Sequence, residues 1–424
     1  MSALDLKLIR DLRRIWIQAV AIALVLAAGV ATIIIAVGAH LSLHDTREAY
    51  YARYRFAHVF ATAERVPRER LSQIRAIAGV AAADARVESM ALIDIEGMVE
   101  PATARIMSLP PTRASMLNAL VIREGRLPNP GQSDETAASA AFADAQGLRL
   151  GDELAVLLNG RKRTLTITAI AHSPEFIYAI GPGNLVPDNR RFGVLWIPQE
   201  AAEAAFDLKG AFNSLAVRVM RGASTSHVIE RIDTELKRYG GSGAFARKDH
   251  VSHAFIDAEL LQLEAMARVM PPIFLAVAAF LINMTLARMV ALEREQIGLL
   301  KAIGYGPAAI AGHYLKFALV ISLFGLVVGL GLGAWIGRGL TQIYADFFQF
   351  PFLYFSRSPH LYVLSSVIAL AAGLGGAAKS VWSAVRLPPA VAMAPPAPPQ
   401  YRRTRAYWLL EHARVSQLSL MVLR

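Results

Sequence analysis

Four long apolar runs without charged side chains constrain this sequence more than any other feature. They cover residues 15–39, 269–287, 317–337 and 361–378. A helix needs about 17 or more apolar residues to cross the hydrocarbon core of a bilayer, which is roughly 30 Å thick. Each run reaches this length. We therefore predict four transmembrane helices, and we expect Pro271 and Pro272 in the first turn of the second, where missing N–H groups cost little.

The first run, residues 15–39, has a cleaved signal peptide as its alternative interpretation. The apolar core of an ordinary signal peptide is shorter, about 7–15 residues. An amphipathic stretch, Leu4 to Arg14, also precedes the run. We therefore favour an uncleaved anchor, with residues 1–14 forming a cytoplasmic amphipathic elbow helix.

Basic residues gather at alternate ends of the apolar runs. They comprise Lys7, Arg10, Arg13 and Arg14 before the first run, Arg288, Arg294, Lys301 and Lys316 between the second and third, and Lys379, Arg386, Arg402, Arg403 and Arg405 after the fourth. The connection between the third and fourth runs has only Arg338 and Arg357. Basic flanks mark the cytoplasmic side of a membrane protein. Both termini are therefore predicted to be cytoplasmic, and residues 40–268 to form a large external domain.

Composition agrees with a membrane protein and excludes several classes of function. Apolar residues make up 54% of the chain and its mean hydropathy is +0.39. The absence of cysteine excludes disulfides and thiolate metal sites. The net charge of +11 reflects the flanks of the apolar runs rather than a basic groove, so no nucleic-acid partner is predicted.

The stretch 288–306, RMVALEREQIGLLKAIGYG, is too patterned for a simple connection. An apolar set, Ile297, Leu299, Leu300 and Ile303, follows helical spacing while the charges cluster near the start. This pattern predicts an amphipathic helix that ends at Gly304. An ordinary solvated loop is the alternative, but an amphipathic helix on the cytoplasmic face indicates a docking partner.

Small residues recur every fourth position in two of the predicted helices. The stripes are Gly325, Gly329, Gly333 and Gly337 in the third helix and Ala19, Ala23, Ala27 and Ala31 in the first. Such stripes allow close helix–helix approach in a membrane. We assign them to transmembrane packing. The apolar runs carry no ionisable residue, which argues against an ion-coupled transporter.

The external domain is predicted to stand on a stalk of two helices, residues 41–56 and 252–268, which continue from the first and second apolar runs. A split α/β part follows, about 57–99 and 212–248, because both segments read strand, helix, strand. A strand-rich insertion, about 100–211, interrupts it, and its best hairpin turns at Asn159-Gly160. The predicted fold class is thus membrane α-helical with four transmembrane helices, plus an α+β periplasmic domain on a helical stalk.

No catalytic motif emerges. His172 and Glu175 share a predicted loop, and His250 and His253 lie three positions apart, but neither pair completes a metal-ligand set. We interpret the histidines as ordinary surface histidines. GxSxG is absent and no lysine follows a glycine, so there is no P-loop. The chain is predicted to be non-catalytic, with no cofactor and no metal.

With these segments in place, the chain resembles an FtsX/MacB-type permease subunit of an ABC transporter. The order of segments matches along essentially the whole chain. Glu124-Gly125-Arg126-Leu127-Pro128 and the later run from Ala141 to Gly160 look like the periplasmic core domain of that family. Residues 294–304, REQIGLLKAIG, look like its R-E-x-I-G-x-L-[RK]-A-x-G signature, and residues 386–393, RLPPAVAM, resemble its closing P-A-x-A-[LM] element.

The resemblance implies that the signature stretch is a coupling helix that docks on a separate ABC ATPase subunit. The coupling residues it implies are Glu293, Arg294, Glu295, Gln296, Ile297, Gly298, Leu300, Lys301, Ala302 and Gly304. Further implied partners are a second permease half or another copy, a periplasmic adaptor and membrane lipid. ATP-driven closure would then move the external domain (mechanotransmission) for export, efflux, or lipid or lipoprotein transport. The implied location is the bacterial inner membrane.

The tail, residues 379–424, departs from the shorter family members. A linker rich in proline, Pro395 to Pro399, leads into an amphipathic end whose Leu418–Arg424 shares two leucines and the arginine with Leu4–Arg10 at identical spacing. We expect the start of a second permease half here, although chance similarity is the alternative.

Two other functions compete with the permease. A membrane-anchored sensor or receptor would need a cytoplasmic output domain, which the predicted cytoplasmic segments do not supply. A periplasmic enzyme would need the catalytic motif that the search did not find. The permease interpretation is therefore preferred.

Overall fold

A computed structural model describes residues 3–95, 97–112, 116–355 and 358–393. The chain forms two compact units, each assembled from separate segments. The described part of the small unit comprises residues 3–22, 277–322 and 371–393, and that of the large unit lies within 23–276 and 323–370. The predicted linker and second-half start, beyond residue 393, lie outside the described residues.

Four helices are long and apolar enough to cross a membrane: α2 Trp16–Arg53, α7 Val251–Leu292, α9 Pro307–Phe347 and α10 Pro359–Arg386. Together with the α/β part described below they confirm the predicted fold class. All four extend beyond the predicted spans, because flanking polar residues continue the helices without a break. The predicted stalk segments are the C-terminal part of α2 and the N-terminal part of α7.

The position predicted for Pro271 and Pro272 is wrong. They were expected in the first turn of the second transmembrane helix, where missing N–H groups have no consequence. The structure places both inside α7, which begins twenty residues earlier at Val251. Each proline lacks the N–H that would bond to the carbonyl four residues before it, so the carbonyls of Ala267 and Arg268 lose their helical donors.

Seven shorter helices complete the helical elements in the described part: α1 Ala3–Arg14, α3 Arg70–Arg75, α4 Ala140–Gln146, α5 Gln199–Ala205, α6 Thr225–Leu236, α8 Arg294–Ala302 and α11 Pro389–Met393. The helices α1, α8 and α11 belong to the small unit. The others accompany the sheets of the large unit.

The first sheet of the large unit is antiparallel, with strand order β11-β1-β10-β2. Its strands are β1 Val59–Pro67, β2 Val80–Arg86, β10 Ala211–Val219 and β11 Phe245–Ala246. Both predicted strand–helix–strand segments contribute to it, because β1 pairs with β10 from Val59↔Val217 to Pro67↔Ala211. Helix α6 packs here through Val228, Ile232 and Leu236.

The second sheet has seven strands in the order β5-β8-β6-β9-β4-β3-β7. They are β3 Glu88–Asp94, β4 Ala102–Leu109, β5 Val121–Gly125, β6 Glu135–Ser139, β7 Glu153–Leu158, β8 Arg161–His172 and β9 Phe192–Pro198. Strand β8 also pairs with β7, so six strands form a closed ring and β5 extends β8. Closure pairs strand edges that would otherwise be open. The predicted split part, about 57–99, includes β3, but the structure places this strand in the second sheet. The sequence pattern of a strand does not show which sheet it joins.

The predicted hairpin turn is confirmed. Strands β7 and β8 pair from Glu153↔Thr166 to Leu158↔Arg161. Asn159 and Gly160, the two residues between them, have φ of 46° and 78°. Positive φ at both positions characterises the tight turn that the Asn-Gly dipeptide favours.

The two stalk segments pack against each other and against the external domain within one cluster of the large unit. Arg47 of α2 donates to Asp257 of α7 at 2.9 Å, and the Tyr51 hydroxyl lies 3.1 Å from Nδ1 of His253. Buried Tyr50 contacts Phe350 edge-on in the same cluster. Phe350 belongs to the connection between α9 and α10. In the sequence this connection is distinguished only by its few basic residues.

Candidate functional site

The candidate site is α8, Arg294–Ala302, together with the residues of the small unit that hold it. Glu293, at φ −102°, separates α8 from α7, and Gly304 has φ of +108° just after the helix. A left-handed residue at this place ends a helix and favours glycine. The predicted helix end is thus confirmed, but its start is not: residues 288–292 belong to α7.

One face of α8 is packed against α11. Ile297 is 2% exposed, and Gly298 is also buried. A Cβ at position 298 would lie 2.9 Å from Cβ of Ala392 and 3.0 Å from Cγ of Met393, closer than real Cβ contacts. Only glycine lets the two helices approach this closely. The signature glycine therefore meets the closing element of the same chain.

Two cations of α8 donate to backbone carbonyls on neighbouring elements. Lys301 Nζ donates to the carbonyls of Leu387 at 2.6 Å, Val385 at 2.8 Å and Ala384 at 3.2 Å. These carbonyls lie at the C-terminal end of α10, where the last turn leaves acceptors free and the helix dipole favours a cation. Burial lowers the pKa of Lys301.

The second cation, Arg294, acts on α11. Its Nε donates to the carbonyl of Ala392 at 3.3 Å, and its Nη2 donates to that of Val391. Arg294 thus attaches the start of α8 to α11, and Lys301 attaches its end to the C-terminal end of α10. Both signature cations are engaged inside the chain.

The carboxylate of Glu293, just before α8, faces α1. Its Oε2 accepts from Lys7 Nζ at 2.6 Å and from the Tyr314 hydroxyl at 3.5 Å. Glu293 occupies the N-cap position but makes no capping hydrogen bond. Its carboxylate therefore binds Lys7 of α1 and does not cap the start of α8.

The opposite face of α8 is exposed and partly apolar. Leu299 is 55% exposed and Ile303 is 67% exposed, and Leu292 at the end of α7 is 71% exposed. Glu295, Gln296 and Ala302 are exposed beside them. We call Leu292, Glu295, Leu299, Ala302 and Ile303 the docking face.

The predicted coupling residues therefore separate into two groups. Glu293, Arg294, Ile297, Gly298, Leu300 and Lys301 are buried or half-buried, whereas Glu295, Gln296, Ala302 and Gly304 are exposed. Helical spacing predicted that one apolar face would contain Ile297, Leu299, Leu300 and Ile303. The structure divides them: Ile297 points inward, and Leu299 and Ile303 are exposed. The spacing of Leu292, Leu299 and Ile303 by seven and four residues was the available signal for the docking face.

The small residues assigned to packing lie at close contacts in the large unit. A Cβ at Gly325 would be 2.6 Å from the carbonyl oxygen of Ala23, and one at Gly329 would be 2.8 Å from that of Ala27. A Cβ at Gly333 would lie 3.0 Å from Cα of Ala31. At Gly337 the nearest atom is 3.5 Å away, an ordinary contact. Ala19, in the small unit, is buried.

The interpretation of His172, His250 and His253 as ordinary surface residues is wrong. All three are only half-exposed. His172 Nδ1 lies 3.1 Å from the carbonyl oxygen of Gln349, and His250 packs against Phe60 with ring centroids 4.7 Å apart. Burial lowers the pKa of His250 and of His253 to about 4, so both rings are neutral at pH 7. They serve packing inside the large unit.

Glu175, which shares a predicted loop with His172, forms a buried ion pair with Arg86. The guanidinium donates to both carboxylate oxygens, at 2.6 Å and 3.0 Å, and Asn118 donates to Oε2 at 2.7 Å. Burial raises the pKa of Glu175, but the Arg86 charge and these hydrogen bonds outweigh it and hold the pKa below the usual value. Within the described residues, no group of three or more metal-ligating side chains comes together.

Comparison with known proteins shows what the chain is similar to. Residues 268–389 match the model of the FtsX-like permease C-terminal family, and this range contains α8 and the end of α10. An uncharacterized ABC transporter permease protein of Mycobacterium tuberculosis is 23% identical over 214 residues. The aligned region is 50% of this chain and 23% of that relative's length. Both matches are to permeases, and the second is to a permease of an ABC transporter.

Two solved structures resemble the chain as well. The periplasmic region of MacB from Actinobacillus actinomycetemcomitans has a TM-score of 0.32 at 9% identity, covering 48% of this chain and 92% of that one. The extracellular domain of the ABC-type transporter YknZ from Gram-positive bacteria has a TM-score of 0.30 at 9% identity, covering 45% and 98%. The family match and the relative confirm the predicted resemblance to permeases of the FtsX/MacB type.

Proposed function

We propose that this chain couples ATP hydrolysis in a separate ABC ATPase subunit to movement of its external domain, and that the docking face of α8 receives that subunit. The observation that carries the proposal is the division of α8 into two faces. One face is fixed by Lys301, Arg294 and Gly298 to the same chain, while Leu299 and Ile303 are exposed on the other. A helix held this firmly presents its exposed apolar side chains to a partner.

The proposed route of the movement is α7. This helix runs without interruption from Val251, at the external domain, to Leu292, at the docking face. Its 42 residues correspond to about 63 Å. A displacement of α8 would pass along α7 to the external domain, with Pro271 and Pro272 as the place where the helix bends most easily. Transport in this scheme is mechanotransmission by the external domain.

The remaining partners and the location follow from the same proposal. A second permease half, or another copy of the chain, would supply the second docking helix. Lipid would cover exposed apolar residues such as Phe280 and Val327. A periplasmic adaptor is a further predicted partner. The positions of the basic residues support cytoplasmic termini and insertion in the bacterial inner membrane.

Co-purification of the ATPase subunit with the intact permease tests this function. Leu299→Glu combined with Ile303→Glu places two charges on the docking face without touching the residues that hold α8. We expect the ATPase to be lost from the complex while the permease stays folded in the membrane. The matched control is Leu185→Glu, which makes the same exchange at an 88% exposed residue of the external domain. Equal ATPase recovery from both variants would refute the docking face.

A further inference from the structure

Lys7 of α1 lies between two carboxylates. One belongs to Asp11 of the same helix and the other to Glu293, at the start of α8. Lys7 Nζ lies 2.6 Å from Oδ2 of Asp11 and 2.6 Å from Oε2 of Glu293. The side chains are only 10–12% exposed. Water therefore screens this ion pair far less than a pair on the surface.

The geometry makes the position of Glu293 depend on Lys7. One ammonium serves two carboxylates, and among the described contacts the Tyr314 hydroxyl at 3.5 Å is the only other group that hydrogen-bonds to the Glu293 carboxylate. Without Lys7, Asp11 and Glu293 would be two like charges in a poorly solvated place. His313 Nε2 lies 3.7 Å from Asp11 Oδ2, but burial lowers the pKa of this ring, and a neutral imidazole does not replace the ammonium. Removing one partner from such a group leaves an uncompensated charge, which is strongly unfavourable. Glu293 would then move away from α1 and carry the start of α8 with it.

A second contact between α1 and the rest of the small unit provides a comparison. Lys316 of α9 donates to Asp5 of α1 at 2.8 Å, but its side chain is 58% exposed and that of Asp5 is 31% exposed. Exposed pairs of this kind contribute little to stability. The two lysines join α1 to its neighbours at similar distances, and they differ in burial and in contact with α8.

We propose that Lys7 is a positioning residue for α8: through Glu293 it fixes the start of the helix to α1, so that α1 sets the orientation of the docking face. The amphipathic helix α1 is then part of the coupling apparatus and not only an anchor. The positioning itself is independent of which partner binds α8. Its consequence for ATPase binding rests on the proposed function.

The absence of cysteine allows a nitroxide label to be placed on α8 alone, at Leu299→Cys. In the full-length permease, Lys7→Met is expected to increase the mobility of this label in the electron paramagnetic resonance spectrum, whereas Lys316→Met leaves it unchanged. Lys7→Arg, which can reach both carboxylates, is expected to restore the immobile spectrum. The exchange of charges in Lys7→Glu with Glu293→Lys keeps the attraction and should also restore it.

Binding of the co-purified ATPase subunit separates the two proposals. We expect Lys7→Met to weaken this binding by about tenfold, the loss of one charge-assisted hydrogen bond. If the label becomes mobile in Lys7→Met and ATPase binding is unchanged, Lys7 positions α8, and the proposal that α8 docks on the ATPase is refuted. If the label stays immobile in folded Lys7→Met, the positioning role is refuted. Should Lys7→Met fail to fold, an immobile label in the charge-exchanged variant supports the proposal and a mobile one overturns it.

Discussion

The ammonium of Lys301 lies 2.6 Å from the carbonyl oxygen of Leu387, at the end of α10. This contact explains why a lysine lies near the C-terminus of the short helix α8. It joins α8 to the end of α10. Three residues that resemble a family signature, Arg294, Gly298 and Lys301, thus hold the helix in place. Leu299 and Ile303, at variable places of the signature, face outward.

Replacing Lys301 by Met is expected to loosen α8. Three acceptors at the end of α10 would lose their shared donor, and hydrogen bonds to charged groups contribute about 1.5–3 kcal/mol each. We expect hydrogen-exchange protection of the α8 amides to fall by at least about tenfold, since 1.4 kcal/mol corresponds to a factor of ten. Protection in the rest of the chain should be unaffected. Unchanged protection in α8 would show that the hydrogen bonds of Lys301 do not stabilise this helix.

Gly298→Ala should destabilise the packing of α8 although it raises helix propensity. The exchange favours an exposed helix by about 1 kcal/mol. At Gly298, however, the new Cβ would lie 2.9 Å from Cβ of Ala392. We expect α11 to become susceptible to proteolysis, and Ala392→Gly in the same chain to reverse this in part. Gly306→Ala, where a Cβ meets no atom within 4 Å, is the control. A more resistant Gly298→Ala protein would contradict the packing.

Gly329→Val and Gly331→Val compare two glycines of α9 separated by one residue. At Gly329 a Cβ would lie 2.7 Å from Cβ of Val30, whereas at Gly331 it meets no atom within 4 Å. The helix-propensity effect is the same in both variants, so their difference reports packing against α2. In detergent we expect Gly329→Val to aggregate at a temperature several degrees lower than Gly331→Val. Equal thermal stability would argue against close packing of the two helices.

Acid should destabilise the external domain through its buried histidines. Burial lowers the pKa of His58, His250 and His253 to about 4. In the unfolded chain they titrate near 6.5, so between about pH 6.5 and 4 the unfolded state binds more protons. Their contribution to stability is complete above pH 6.5 and is lost as the pH falls toward 4. Thermal unfolding across this range measures the loss, and His250→Phe should reduce its slope. An unchanged slope would contradict the neutral state assigned to His250.

Glu175→Gln should be among the most damaging exchanges in the external domain. It leaves the buried guanidinium of Arg86 without its counter-charge, and breaking a buried pair costs about 3–5 kcal/mol. Asp94→Asn is the control, because Asp94 pairs with Lys162 at 2.8 Å with both side chains more than 60% exposed. Urea unfolding of the whole permease should show a large loss of stability for the first variant and little for the second. Similar losses would mean that burial does not matter at Glu175.

Sequence patterns predicted the features that depend on local periodicity. The apolar runs identified the four long helices, and the spacing between Ile297 and Ile303 together with Gly304 identified α8 and its end. The orientation of α8 was not accessible in this way. Ile297 and Leu299 are equally apolar, and which of them turns inward depends on α11, almost a hundred residues further along the chain.

Contacts between distant segments account for the other differences. Arg86 and Glu175 are 89 residues apart and come together only when the chain folds, so no local pattern indicates that they pair. Phe350 packs on Tyr50 across 300 residues. The proline pair was assigned to a helix start because an apolar run begins there, whereas the polar stalk segment continues the same helix through Pro271 and Pro272.

Site-directed photo-crosslinking tests the central claim most directly. The chain contains no cysteine, so Ile303→Cys carries a single benzophenone label on the docking face. In membranes that contain the ATPase subunit, illumination should join that subunit to the labelled permease, and a label at Leu185→Cys in the external domain should not. The result that contradicts the account is absence of the ATPase adduct from position 303 in a complex that still contains the ATPase.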